Sequence, residues 1–323
     1  METQIDFVIC PYLEGDMWKT IYSPLEKRND VLIFDPLRQI KNKFRFFLFD
    51  LHKSYFLNKK HEIPFQSHWL KTNPTIKQLI KQTTNPKVFL IHETSPFAFS
   101  ADSLKYLKKT FPSSKLTYLG LNPLTDERLL RVEHSYDFIL TMVPSFEEKY
   151  GWIYHEIPYA KTTDFISTQY SSDVFFIGED KGRHDTIVKC YNELTALKQN
   201  CVFMILNTPK EKRINAPGLI YLDKPLEYAE IVKWVNNSKA LLEVVAFESN
   251  FPTLRTLEAL TYEKRLITTN PSIKEQPYFS DRQINIISTP SDIKSIDWEN
   301  FQPVPVPDCC KLDKYLSFLL SLS

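Results

Sequence analysis

Glycine is scarce in this chain, which contains only 6 glycines in 323 residues. Neither GxGxxG nor GxxxxGK followed by Ser or Thr occurs in the sequence. The glycines of those motifs let the backbone approach phosphate groups closely, so their absence argues against a conventional dinucleotide site and against a P-loop NTPase. Any phosphate group must therefore be bound by side chains and helix ends.

The sequence also lacks cysteine pairs with metal-ligand spacing, and it has no large excess of charge of either sign. The five cysteines show no CxxC spacing and no nearby pair of histidines, so neither a zinc site nor a disulfide framework is predicted. A reducing cytoplasm is the compartment that fits this cysteine pattern best. Forty basic against 39 acidic residues give a net charge of +1, which removes the electrostatic case for nucleic-acid binding.

No long apolar run is present. No stretch approaches the roughly 18 apolar residues of a membrane-spanning helix, and the densest one is broken by Arg45 and Asp50. The first ten residues carry two acids and no basic residue, unlike a signal peptide, and we expect the first buried strand there.

Residues 38–60 interleave aromatics with seven lysines and arginines. Two interpretations fit this segment. The first is an amphipathic element that rests on an anionic membrane surface or binds a lipid-linked acceptor. The second is a packed helix with a solvated basic face. The irregular polar spacing favours the packed helix.

What the chain does have is an alternation of short apolar runs with segments of helical period. In the second half the runs are 173–178, 201–206, 219–222, 240–245 and 265–268. This order predicts a parallel sheet covered by helices on both faces, a Rossmann-like α/β domain. The first half repeats the pattern less regularly, at 5–10, 31–35, 87–92, 115–119 and 137–141.

The length suits two domains, because single cores rarely grow beyond about 250 residues. The Pro- and Ser-containing segment 157–172 separates the two patterns. We predict one Rossmann-like domain at 1–158, which would bind the acceptor, and a second at 159–309, which would bind a nucleotide. Residues 310–323 predict a final helix that either returns to the first domain or forms a dimer contact.

Topology predicts where a ligand would bind in the second domain. In the commonest doubly wound order the first and fourth strands are neighbours, and ligands bind beyond their carboxyl ends. The loop after Gly178 should therefore lie next to the loop after Val245. In the first loop, Lys181 and Arg183 flank Gly182 at a helix start, where free N–H groups and the helix dipole favour a phosphate.

The second loop should lead into another helix. Ser249 or Asn250 is the expected N-cap and Pro252 suits the first turn, which places three polar residues, Thr253, Arg255 and Thr256, near the helix start. Arg255 and Glu258 share one helix face, so a diphosphate can accept hydrogen bonds from Arg255 and ribose hydroxyls can donate to Glu258. The alternative is a surface salt bridge, worth less than about 1 kcal/mol.

Two strings of the second half, FFIGEDKGRHDTIVKCYNEL at 175–194 and TLRTLEALTYEKRLITTN at 253–270, resemble bacterial GT-B glycosyltransferases of capsule, lipopolysaccharide and exopolysaccharide assembly. IPYAK at 157–161 extends the likeness, and CPYLEGDMWKTIYSP at 10–24 does so more loosely. The resemblance implies two Rossmann-like domains facing each other across a cleft. It also implies metal-independent transfer of a sugar, as by a hexosyltransferase, from a nucleoside diphosphate to a saccharide or lipid-linked saccharide.

The resemblance also implies roles for particular residues. Lys181, Arg183 and Arg255 would stabilise the leaving diphosphate. Glu258 is similar to the second acid of the paired-glutamate motif of retaining enzymes. Position 250, where the first acid would stand, is Asn250, which leaves Glu243 or Glu248 as the sugar-facing acid and leaves the stereochemistry open.

An inverting transferase needs a base in the first domain. Asp16 and Glu14 follow the first strand, and His92 ends another, so these three are the candidates. A solvated turn and a core histidine are the alternatives. Two other functions also fit the sequence: a non-catalytic GT-B-like binding subunit, which Asn250 and the glycine-poor loops favour, and a sugar-nucleotide epimerase.

Overall fold

The computed structural model describes residues 4–11, 16–34, 43–44, 47, 83, 85–92, 101–120, 133–162, 167–246 and 251–322. The chain divides into two compact units. The first comprises Met1–Glu14, Ile21–Ile157 and Leu312–Ser323, and the second comprises Gly15–Thr20 and Pro158–Lys311. Most of the segment 38–60, with its two predicted alternatives, lies outside the described residues.

The first unit contains a parallel sheet with six strands among the described residues. They are β1 (Phe7–Cys10), β2 (Val31–Ile33), β3 (Val88–His92), β4 (Lys115–Gly120), β5 (Phe138–Thr141) and β6 (Ile153–Tyr154), in the order β2-β1-β3-β4-β5-β6. The helices that the structure describes in this part of the chain are α1 (Met17–Tyr22), α2 (Ala101–Thr110) and α3 (Pro144–Tyr150). Five strands lie where the apolar runs predicted them, and β6 was not predicted.

Both faces of this sheet are covered, which explains its continuous apolar strands. All four residues of β1 and all five of β3 are buried. A strand of a parallel sheet buries both faces, so it lacks the polar alternation of a solvent-facing strand. Val8, Phe89 and Tyr118 share a core with Leu104 of α2 and Trp152.

The second unit also has six parallel strands among its described residues. They are β7 (Ser172–Glu179), β8 (Cys201–Leu206), β9 (Leu219–Leu222), β10 (Ser238–Glu243), β11 (Arg265–Thr268) and β12 (Ile284–Ile286), in the order β9-β8-β7-β10-β11-β12. The helices in its described ranges are α4 (His184–Ala196), α5 (Tyr228–Asn237) and α6 (Leu254–Thr261). The predicted adjacency of the first and fourth strands is confirmed, because Ala240 pairs with Val174.

Helix α4 shows why the helical-period segments form helices here. Its buried apolar residues Ile187, Cys190, Tyr191 and Leu194 recur three or four positions apart and pack into the core that contains Phe203 of β8. One face of the helix is thereby buried against the sheet. The same periodicity predicted this helix.

Two boundaries in the second unit differ from the prediction. Helix α6 begins at Leu254, with Thr253 as its N-cap, so Pro252 precedes the helix instead of lying in its first turn. The Thr253 hydroxyl accepts the N–H of Arg255 and supplies the cap. Ser249 and Asn250, the predicted caps, lie outside the described residues. Strand β12 was not predicted, because only three residues form it.

The C-terminal helix α7 (Leu312–Ser321) belongs to the first unit. Asp313 pairs with Arg28 at 2.7 Å, and the ring of Phe318 stacks on His155. A dimer contact through the same helix stays a prediction. Among the helices in the described ranges, none has the length and apolar character needed to cross a membrane.

Candidate functional site at the carboxyl ends of β7 and β10

Arg183 joins the segments that follow β7 and β10. It directly precedes α4, and its Nη1 donates to the carbonyl oxygen of Val244, the first residue after β10. Its Nε and Nη2 donate to the carbonyl oxygen of Glu179, at 3.0 and 2.9 Å. The two loops that the topology predicted to meet are therefore in contact.

Arg255 reaches the same end of β7 from helix α6. Its Nη2 lies 3.4 Å from the carbonyl oxygen of Ile177, and its guanidinium lies 5.8 Å from the ring centre of Phe175. Ile177 and Glu179 are two residues apart, about 7 Å along a strand. Arg183 and Arg255 thus lie at one strand end, as the predicted donor site requires.

The loop from Asp180 to Arg183 differs from the predicted phosphate loop in one respect. The buried carboxylate of Asp180 accepts hydrogen bonds from the N–H groups of Gly182, at 3.0 Å, and His184, at 3.1 Å. The expectation of free N–H groups is therefore wrong for these two amides, because an acid of the same loop already binds them. The half-exposed Lys181 has its Nζ 3.3 Å from a carboxylate oxygen of Glu179.

Gly178 makes room for the Arg183 guanidinium. A Cβ atom at this position would lie 3.0 Å from Nη2 of Arg183, closer than ordinary contact. Burial lowers the pKa of Arg183, whereas Glu243, Asp180 and Glu179 oppose that shift by their charges. Three acidic groups therefore act on the Arg183 charge at this strand end.

The predicted pair of Arg255 and Glu258 is present, but it is buried and not a surface salt bridge. Nη1 of Arg255 donates to Oε2 of Glu258, which is completely buried. Oε1 of Glu258 accepts from the hydroxyl of Tyr228 at 2.7 Å. Burial raises the pKa of the Glu258 carboxyl, and Arg255 and Tyr228 oppose the shift. Because protein donors bind both oxygens, a ribose contact at Glu258 stays a prediction.

Glu243 is a further buried carboxylate of the site. It ends β10 and accepts hydrogen bonds from the hydroxyls of Thr253, Thr256 and Thr268. The charge of Glu243 also contributes to the raised pKa of Glu258, so the two carboxylates are neighbours. Its predicted contact with the donor sugar is not tested by this arrangement.

Two tyrosines of the site were not predicted from the sequence. The hydroxyls of Tyr159 and Tyr228 lie 2.9 Å apart, and the Tyr228 hydroxyl donates to the Glu258 carboxylate. Burial raises the pKa of both phenols well above the usual value. Tyr159 lies in the IPYAK string, which carried the resemblance but gave no role to a phenol. No pattern in the sequence assigned a role to Tyr228.

The candidate bases have other partners in the structure. The carboxylate of Asp16 accepts from the N–H groups of Tyr228 and, at 3.0 Å, Ala229, and so caps α5 within the second unit. His92 is completely buried, its Nε2 is 3.0 Å from the Tyr22 hydroxyl, and burial lowers its pKa to about 3. Glu14 lies outside the described residues. A role as base stays a prediction for all three.

No protein-family model matches this chain, and the comparison with curated proteins gives no match. Among the solved structures that are similar to it, two resemble it over nearly the whole length as follows. A protein from Listeria monocytogenes, described as a UDP-N-acetylglucosamine 2-epimerase, is 10% identical with a TM-score of 0.53, covering 97% of this chain and 95% of its own. The N-terminal domain of Candida albicans trehalose-6-phosphate phosphatase is 11% identical with a TM-score of 0.50, covering 100% and 92%. At these identities the likeness shows the fold, which is the α/β fold of the GT-B type.

Proposed function

We propose that this protein is a glycosyltransferase that moves a sugar from a nucleoside diphosphate to a saccharide acceptor, with the donor bound by the second unit. One observation carries the proposal. The loops after β7 and β10 converge and place Arg183 and Arg255 at one end of β7. A doubly wound sheet binds its ligands at such a switch point.

Charge stabilisation is the chemistry that this site can supply. As the sugar leaves, negative charge develops on the diphosphate, and fixed cations stabilise it. Lys181 is half exposed, and the Arg255 side chain keeps 13% of its surface exposed. In our proposal the diphosphate replaces Glu258 as the acceptor of Arg255. It also binds Lys181 and Arg183, with no metal ion. The two arginines offer planar, bidentate donors.

The acceptor side of the proposal comes from the sequence resemblance. It is a saccharide or a lipid-linked saccharide of cell-surface polysaccharide assembly, modified at the cytoplasmic face of the membrane. Asp16, His92 and Glu14 remain the candidates for a base. The resemblance favours a hexosyltransferase, with either stereochemical outcome.

A specific observation also favours a second candidate, a non-catalytic subunit with the same fold. Within the described residues, Lys181, Arg183 and Arg255 each already bind a protein acceptor, and Asp180 binds two amides of the loop. A site that is fully paired in this way can serve stability alone. Such a subunit would release no nucleotide from a sugar donor.

Ligand-induced stabilisation tests the proposal directly. Thermal unfolding is followed with UDP, GDP, CMP and their sugars for the wild type, for Arg255→Ala and for the matched control Arg282→Ala. Arg282 is exposed, bonds to Gln302 and precedes the edge strand β12, so it lies at the amino end of that strand and not at the carboxyl ends that form the site. One nucleotide family should stabilise the wild type by about 2.7 kcal/mol at a hundredfold excess over Kd. Arg255→Ala should abolish this effect and Arg282→Ala should keep it.

The outcomes separate the candidates. No stabilisation of the wild type by any of these compounds would remove the proposed function. Stabilisation that survives in Arg255→Ala would exclude Arg255 from the site. Binding with no release of nucleoside diphosphate, with or without added saccharide acceptors, would favour the non-catalytic subunit.

A further inference from the structure

Glu243 connects three elements of the second unit through hydroxyl groups. It is the last residue of β10 and is 5% exposed. Its Oε1 accepts from Thr253 and, at 3.3 Å, from Thr256, and its Oε2 accepts from Thr268. Thr253 and Thr256 belong to the start of α6, and Thr268 ends β11. One carboxylate therefore holds two other elements at the end of its own strand.

Two of these hydroxyls also accept a hydrogen bond. Oγ1 of Thr253 accepts from the N–H of Arg255 at 3.1 Å, and Oγ1 of Thr268 accepts from the N–H of Asn270 at 2.9 Å. A hydroxyl has one hydrogen, and an ionised carboxylate can only accept. Because each hydrogen points to Glu243, the lone pairs of each oxygen stay available for the amide. The carboxylate thus sets the direction of both hydroxyls.

The two amides lie at the start of α6 and at the start of the turn that follows β11. Thr253 is the N-cap of α6, and Arg255 is its second residue. Asn270 caps the 3₁₀ turn Pro271–Glu275 through Ser272 N at 3.2 Å, and its Nδ2 donates to the carbonyl oxygen of Phe251 at 3.0 Å. The turn after β11 thereby holds the chain that leads into α6.

We propose that Glu243 is a positioning residue, which orders the first turn of α6 and so places Arg255 for the diphosphate without touching the nucleotide. Both of its oxygens are bound by threonine hydroxyls, and its side chain is buried. Its effect on nucleotide binding depends on the proposed function, whereas its effect on the two amides depends only on the contacts above. A first turn fixed by buried partners keeps a binding side chain in its productive geometry.

Amide hydrogen exchange tests this hydrogen-bond network in four variants, each of which replaces a side chain by one of nearly equal size. Glu243→Gln replaces one acceptor by a donor and should lower the protection of both Arg255 N–H and Asn270 N–H at least tenfold. Thr253→Val should affect Arg255 alone, and Thr268→Val should affect Asn270 alone. Thr256→Val is the matched control, because the Thr256 hydroxyl also binds Glu243 but caps neither amide; it should change neither. Protection of Phe203 N–H in β8, bonded to the carbonyl oxygen of Gly218 at 2.8 Å, reports that the sheet is intact.

A uniform loss of protection in all four variants would overturn the proposal, since it would indicate general loosening. So would unchanged Arg255 protection in Thr253→Val, which remains decisive if Glu243→Gln fails to fold. The second measurement is the Kd of UDP or GDP, whichever stabilises the wild type. We expect it to rise at least tenfold in Glu243→Gln and Thr253→Val and to stay constant in Arg282→Ala, the exposed control. A weaker Kd in Glu243→Gln with normal amide protection would instead make Glu243 a direct ligand contact. If the wild type binds neither nucleotide, the proposed function fails, and the exchange pattern still decides the positioning role.

Discussion

Arg255 and Glu258 form an ion pair one helical turn apart, in which the carboxylate is completely buried and the arginine side chain keeps 13% of its surface exposed. The Tyr228 hydroxyl gives the carboxylate its second strong donor. The attraction in such a pair is opposed by the loss of hydration of both charges, so the intact pair adds little net stability. Removing one partner leaves the other charge buried without compensation.

We therefore expect Glu258→Ala to lower the free energy of unfolding by about 3–5 kcal/mol, because Arg255 would keep its partly buried charge without a counterion. Urea denaturation of the purified protein measures the change. Lys311→Ala is the matched control, since Lys311 pairs with Asp308 at the same spacing but the two side chains are 48% and 66% exposed. That change should cost less than about 1 kcal/mol. Equal losses in the two variants would contradict the importance of burial.

The convergence of Arg183 and Arg255 could be predicted from the sequence because strand order follows from the alternation of elements. Five clear apolar runs with helices between them leave the doubly wound order as the simplest arrangement, and that order makes β7 and β10 neighbours. Fold class and the meeting of the two loops needed no knowledge of side-chain geometry.

The partners of individual side chains could not be predicted in the same way. Asp180 lies next to Lys181 in sequence, and nothing in the spacing tells whether its carboxylate points to solvent or back to Gly182 N. Thr253 and Pro252 are both acceptable near a helix start, and tertiary contacts with Glu243 decide that Thr253 is the cap. Burial likewise separates the observed Arg255 pair from the surface salt bridge of equal spacing.

His92 should make stability depend on pH. Burial lowers its folded-state pKa from 6.5 to about 3. Below pH 6.5 the unfolded chain takes up a proton that the folded protein does not bind until about pH 3, so the free energy of unfolding falls as the pH falls through this window. In His92→Gln the free energy of unfolding should depend less steeply on pH, by up to about 1.4 kcal/mol per pH unit, which is the contribution of one proton. Urea denaturation between about pH 4 and about pH 6.5 measures the slope of the free energy of unfolding against pH.

The hydrogen bond of His92 needs a separate control. Tyr22→Phe removes the hydroxyl that lies 3.0 Å from Nε2 but leaves the imidazole in place. Its stability should drop while its pH slope stays that of the wild type. Identical slopes in His92→Gln and the wild type would show that His92 is solvated and ionises normally.

Gly218 should tolerate a side chain much less well than Gly151. Both have a left-handed backbone, with φ of 79° and 69°. A Cβ at Gly218 would overlap the carbonyl oxygen of Cys201 in β8, whereas a Cβ at Gly151 meets nothing within 4 Å. Gly151→Ala should therefore cost only the conformational strain, about 1–2 kcal/mol, and Gly218→Ala clearly more. Urea denaturation of both variants tests this, and equal losses would mean that the chain before β9 moves freely away from β8.

Asp180 should weaken anion binding at the start of α4, because its carboxylate occupies the N–H groups of Gly182 and His184. Asp180→Ala frees both amides and removes a negative charge, so we expect it to lower the Kd for inorganic pyrophosphate at least fivefold, measured by calorimetry. The same change removes a helix cap and should cost about 1 kcal/mol of stability. Asp185→Ala is the control, because Asp185 is an exposed acid of the same first turn, so its loss removes a similar charge and leaves Asp180 in place on the amides. A similar gain in both variants would mean that charge alone limits anion binding, and no gain in Asp180→Ala would mean that these amides do not meet the anion.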